Sequence, residues 1–218
     1  MNELGLDPKW RWDELIKLTK KRFDLEFDVS FTDIFYNNYI IPAYTGENRH
    51  YHTLNHIELM LSRTGDWNLS HKDKVKLRWA IWFHDIVYDA TKTDNEEKSA
   101  NMLVDFAWAL GFEEEDIEEM KWLVLVTTHK GNPQTRLEDI ICDLDLRELA
   151  GEIQPENTPL IRKEFGHLTD EEFNKGRVQF LDFMLAKEFI YHTENYKFAF
   201  EKNARENLQR ELNNLKIS

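Results

Sequence analysis

The chain has 218 residues, 41% of them hydrophobic and including 7 Trp and 14 Phe, enough apolar surface to offset chain entropy without disulfides or a structural metal. One domain spanning 1–218 is therefore expected, and any metal would serve chemistry. A formal charge of −13 and a pI near 5.1 weigh against a long polyanion such as duplex DNA, whose binding depends on Lys and Arg neutralising phosphates, but leave a small phosphorylated molecule open.

The single cysteine, Cys142, cannot form an internal disulfide, which fits a reducing cytoplasm. No apolar run approaches a membrane span, and the start MNELGLDPKWRWDEL lacks the basic and apolar regions of a signal peptide. A cytoplasmic protein without a membrane partner is expected.

With only 8 Gly and 5 Pro, and no alternating apolar run beside an Asn-Gly or Asp-Gly turn, the chain reads as all-α. Apolar spacing and start signals predict helices over 10–23, 29–39, 53–63, 71–87, 95–110, 114–128, 136–149, 170–190 and 195–216. Ser70 is placed to cap the helix that carries Trp79, Trp82 and His84. Asp94 with Glu97, and Thr169 with Glu172, have the spacing of capping boxes, and Gly111 and Gly151 stand where C-terminal caps belong. Residues 151–169 read as a connection with room for one short helix. The last two helices form a long antiparallel pair whose apolar surface either packs internally or joins a homodimer.

Four segments carry metal-ligand residue types among apolar neighbours: 49–61, 79–89, 125–130 and 142–151. His84 and Asp85 are adjacent near a predicted helix end, between Ile81, Trp82, Phe83 and Ile86, Val87, so a polar side chain must enter a largely apolar environment. An unpaired carboxylate there is costly, and a metal accepting both side chains removes the penalty. His52 and His56 are four apart, the spacing of one helix face. With Asp143 and Asp145 they complete the inventory of a His2Asp2 site with one imidazole to spare. Nitrogen and oxygen donors without thiolate favour Mn, Fe, Co, Ni, Zn or Mg.

The ordered set Tyr51-His52-x-x-x-His56, Phe83-His84-Asp85-x-x-Tyr88, Asn95-Glu96-x-x-Ser99-Ala100, Thr128-His129 and Asp143-x-Asp145-Leu146 resembles the HD superfamily of metal-dependent phosphohydrolases, in particular a bacterial branch of predicted HD phosphohydrolases. The resemblance covers about 49–151. It implies an HD-domain helical bundle with added N- and C-terminal helices, and one or two divalent ions held by His56, His84, Asp85 and Asp145. Asp145 is chosen because the related Asp-x-Asp pattern uses its second aspartate, which leaves Asp143 as a surface acid or an orienting partner.

Tyr51-His52-x-x-x-His56 also resembles the start of the catalytic region of cyclic-nucleotide phosphodiesterases, which makes His52 the general acid. The competing Arg49-x-x-His52 resembles the opening of HD triphosphohydrolases and makes His52 a ligand. Carried over, the chemistry is attack of activated water on phosphorus in a small substrate, a nucleotide monoester or cyclic diester, with His52 protonating the departing oxygen. Arg49 and Lys130 are the available phosphate cations. His129 stands either for a phosphate or second-metal contact or, with Lys130, for a helix C-terminal cap. Glu96 and Asp89 either hold the attacking water or are ordinary local acids, and His50, His71, His167 and His192 carry no assigned chemistry. Two other classes stay open: a di-iron oxygenase, weakened because only His129 is spare, and a non-catalytic nucleotide-binding protein, weakened because no ligand is missing.

Overall fold

Two of the helix start signals operate where the sequence places them. In a computed structural model that describes residues 8–151 and 154–217, Ser70 Oγ accepts from Asp73 N at 3.1 Å, and Thr169 and Glu172 form a reciprocal capping box. Among the described residues there is no strand, so the chain is all-α as expected. By internal contacts it divides into two compact units, 1–132 and 133–218.

The first unit contains α1 (Pro8–Phe23), α2 (Val29–Phe35), α3 (Ile41–Thr45), α4 (Leu54–Ser62), α5 (His71–Phe83), α6 (Asn95–Leu110) and α7 (Glu114–Leu125). The helix expected to stop at 39 instead passes through a π turn at Tyr36–Ile40 into α3. Pro42 lies in the first turn of α3, where its missing N–H is tolerated. Residues Trp79–Phe83 of α5 are each at most 1% exposed, because α5 packs against α1, α4, α6 and α7. Trp12 of α1 meets Trp79 and Trp82 edge-on, with centroids 5.1 and 5.5 Å away. Such pairs add about 0.5–1.5 kcal/mol to the burial itself. Of the three indoles, Trp79 has its polar end satisfied: Trp79 Nε1 donates to Thr19 Oγ1 at 2.9 Å. On α4, Glu58 is fully buried and accepts from Arg11 Nε at 2.6 Å, anchoring α4 to α1.

One cap expectation fails locally. Asp94 stands at the N-cap of α6 but makes no side-chain cap bond, and its carboxylate pairs with Lys98 at 3.0 Å instead. Gly111, at φ 85°, is the left-handed cap expected after α6. Gly151 is likewise a C-cap, of the 3-10 turn Leu146–Ala150, but at φ −72° and ψ 153° it is extended and needs no glycine handedness.

The second unit contains α8 (Arg136–Asp145), α9 (Gln154–Glu164), α10 (Asp170–Ala186) and α11 (Glu194–Ile217). The connection expected over 151–169 thus includes one helix. The predicted antiparallel pair is α10 and α11, and its turn is locked by Glu201 and Arg205 of α11. Glu201 accepts from Ile190 N and Tyr191 N, while Arg205 donates to the carbonyls of Leu185, Lys187 and Glu188. Farther along, Arg177 and Glu211 form a two-pronged ion pair at 2.7 and 3.1 Å.

Candidate metal centre

Helix α5 ends at Phe83, four residues before the predicted end, so His84 is its C-cap and Asp85 lies in the following turn. Residues far away in sequence hold this turn. The Tyr44 hydroxyl donates to Trp82 O at 2.9 Å, and Arg49 Nη2 donates to Ile86 O at 3.1 Å. Ser99, fully buried on α6, accepts from Val87 N at 3.1 Å and donates to Val87 O at 3.3 Å. Asn95 closes the loop by accepting from Asp89 N and donating to Asp89 O, both at 3.0 Å. Main-chain groups of the turn that no helix bond reaches are satisfied by these ties. Asn95 and Ser99, quoted as motif residues without a role, therefore act on the turn that carries His84 and Asp85.

The His84 ring is 1% exposed, and its Nδ1 stands 2.9 Å from Ile81 O. A carbonyl only accepts, so Nδ1 carries a ring proton, and in the neutral ring Nε2 would be the atom open to a metal. Nε2 faces Asp85 Oδ2 at 3.1 Å and His56 Nε2 at 3.3 Å, while His56 Nε2 and Asp85 Oδ2 are 4.0 Å apart. His56 lies on α4 and is 4% exposed. Two imidazole nitrogens and a carboxylate oxygen this close in a largely buried site call for positive charge among them, from a protonated imidazole or a metal ion. With metal bonds of about 2.1 Å, ligand atoms sit about 3.0 Å apart in an octahedron and about 3.4 Å in a tetrahedron. The two shorter separations match that range, and His56 and His84 belong to a group of side chains whose ligand atoms are close enough to share one ion.

His52 precedes α4: Thr53 is the N-cap and its side chain accepts from Asn55 N. The four-residue spacing to His56 is therefore not a helix-face relation. The two rings are nonetheless 6.1 Å apart, because the His52 ring packs on Tyr88 with centroids 4.5 Å apart. Tyr44, which no motif singles out, is fully buried, and burial, with the Asp85 charge adding to it, pushes its phenol well above the ordinary range. The phenol thus stays neutral and serves as a hydrogen-bonding post for the turn.

The remaining predicted residues take the following places. Arg49 Nη1 and Nη2 donate to His52 O and Ile86 O, each at 3.1 Å. Asp89 is exposed, and its Oδ1 accepts from Thr91 N and Oγ1, bonds that hold its carboxyl below the usual range; it forms a local turn. Glu96 is half-buried in the first turn of α6. His129, at φ 54°, caps the 3-10 turn Val126–Thr128 through its backbone N–H, which donates to Val126 O, and Lys130 after it is exposed.

In the second unit Asp143 and Asp145 have separate surroundings. Asp143 is fully buried and accepts from His192 N at 2.6 Å, Thr193 N at 2.9 Å and Thr193 Oγ1 at 2.5 Å, which ties α8 to the start of α11. Burial raises its carboxyl to about 6 against the opposing pull of those hydrogen bonds. Asp145, the last residue of α8, is half-buried and lies about 200° farther around the helix. Asp143→Ala removes the acceptor for two main-chain N–H groups and a hydroxyl. Folding stability is expected to fall by about 2–3 kcal/mol, read as a lower urea midpoint at constant slope. An unchanged midpoint would show that α11 starts without this carboxylate.

Compared with protein-family models, with curated proteins and with solved structures, the chain gives no match.

Proposed function

We propose that the chain is a metal-dependent phosphohydrolase of the HD kind acting on a small phosphorylated substrate, a nucleotide monoester or cyclic diester. The observation that carries this proposal is the convergence of His56 Nε2, His84 Nε2 and Asp85 Oδ2, with the His84 proton held on the opposite ring nitrogen by Ile81 O. Imidazole nitrogen and carboxylate oxygen suit a first-row divalent ion or Mg, and the Ile81 carbonyl is the outer partner that a metal-bound histidine characteristically has. A divalent ion bound there supplies polarisation of a phosphoryl oxygen and a water acidic enough to attack near neutral pH.

The protein's own groups supply the rest. His56, His84 and Asp85 hold charge in a buried pocket, where it acts more strongly than in water. His52, held against Tyr88 at the edge of this cluster, is the proton donor to the departing oxygen, a task that fits an imidazole pKa near 6.5. Asp145 is assigned as the fourth ligand from the Asp-x-Asp pattern, supported by the engagement of Asp143 with α11.

The test is metal analysis of the purified protein followed by a phosphate-release screen over nucleoside mono-, tri- and cyclic phosphates. Stoichiometric divalent metal with release from one of these classes is expected, and a metal-free protein inactive after reconstitution with each candidate ion would overturn the proposal. Asp145→Asn is expected to lose bound metal while keeping wild-type folding stability, the converse of Asp143→Ala. Loss of metal in Asp143→Asn but not in Asp145→Asn would exchange the roles of the two aspartates.

A further inference from the structure

Arg49 joins two segments of the first unit that no helix connects. Through Nη1 it holds the carbonyl of His52, and through Nη2 the carbonyl of Ile86, the residue after Asp85. The guanidinium lies between two aromatic rings, with Cζ 5.2 Å from the Tyr44 centroid and 5.1 Å from that of Tyr88. Both rings belong to the same assembly: Tyr88 packs on the His52 imidazole, and the Tyr44 hydroxyl holds Trp82 O. One planar cation thereby spans the main chain of the loop before α4 and that of the turn after α5.

We propose that Arg49 is a positioning residue, which sets the separation between the His52 imidazole and the His84–Asp85 pair, and that it is not a binding group for substrate phosphate. The consequence for turnover presupposes the phosphohydrolase reading, whereas the brace itself stands on geometry alone. Arginine is required for a physical reason. A planar fork donates in two directions while its faces pack on two rings; an ammonium is a point charge that cannot reach both carbonyls and lacks those faces. A phosphate-binding arginine would turn its terminal nitrogens toward the substrate, whereas here each of them gives one N–H to a main-chain oxygen, which fixes the direction of the fork.

The discriminating variants are Arg49→Lys, which keeps the charge and most of the stem, and Arg49→Met, which keeps the stem alone. In substrate-free protein, amide hydrogen exchange in peptides covering 49–56 and 84–91 is expected to quicken about tenfold or more in both variants, while peptides from α7 (Glu114–Leu125) exchange as in wild type. If Arg49→Met does not fold, Arg49→Lys decides by the same readout. In turnover, both variants are expected to lose about 10²-fold in kcat with KM nearly unchanged, because misplacing a catalytic group by an ångström costs on that order. The loss should be smaller for a nitrophenyl phosphate, whose departing oxygen needs no proton from His52.

Unchanged exchange in both segments would overturn the brace. A near-wild-type Arg49→Lys, or a raised KM at constant kcat in both variants, would overturn the positioning role and make Arg49 a phosphate ligand. The exchange measurement needs neither metal nor substrate, so it decides the brace even if no phosphoester is ever turned over.

Discussion

Replacing Asp85 or His84 with Ala is expected to leave a folded, helical protein that binds no metal and turns over no phosphoester. The motive is that Asp85 Oδ2 and His84 Nε2 stand 3.1 Å apart, while the opposite ring nitrogen of His84 is held by Ile81 O, the arrangement of two ligands to one ion. Metal-free wild type and metal-free Asp85→Ala should both remain folded. Added metal should then separate them. Wild type gains about 2.7 kcal/mol when free metal is a hundred times its dissociation constant, and the variant gains nothing. Elemental analysis, far-ultraviolet circular dichroism and thermal melts with and without metal read the three quantities. Full metal occupancy in purified Asp85→Ala would remove the site assignment. A melt that does not respond to metal in wild type would do the same.

The second large effect separates His52 from His56, because a proton donor and a metal ligand fail differently. His56→Ala is expected to lose metal and activity together, since its Nε2 is one of the converging acceptors, 3.3 Å from that of His84. His52→Ala should keep its metal and lose about 10²- to 10⁴-fold in turnover, the range for a general acid. That loss should shrink on a nitrophenyl ester, and the limb of the pH–rate profile that reports the acid should disappear. A metal-free His52→Ala would make His52 a ligand and replace the comparison with cyclic-nucleotide phosphodiesterases by the Arg49-x-x-His52 alignment.

The Arg49 and Tyr44 contacts bear on how such variants are interpreted. Tyr44→Phe removes the hydroxyl that holds Trp82 O and so loosens the turn at its helical end, while Arg49 variants loosen it at Ile86. Neither residue belongs to the converging cluster. Variants at both positions therefore report on how the ligands are held, and the His84 and Asp85 variants report on the ligands themselves.

What the sequence determined by itself is what depends on near neighbours. The bounds of α6 at Asn95 and Leu110, the Ser70 cap, the Thr169–Glu172 box and the left-handed Gly111 are all set within one or two helical turns, where spacing and side-chain chemistry are enough. The ligand-type residues of the first unit were legible for the same local reason: His84 and Asp85 interrupt an apolar run, and charge in such a run needs a partner. Only the tertiary structure decided where α5 stops. Its periodicity continues to Val87, but Tyr44, 38 positions before Trp82, takes the Trp82 carbonyl that a longer helix would have used, and Arg49, 37 positions before Ile86, holds the carbonyl of the turn that replaces it. The same holds for Asp143, whose carboxylate oxygens accept from main-chain N–H groups 49 and 50 positions later. A carboxylate or guanidinium has the same appearance in a sequence whether it meets substrate or main chain. The choice is made by which unpaired backbone groups the fold brings within about 3 Å of it, and those come from segments that no local pattern connects.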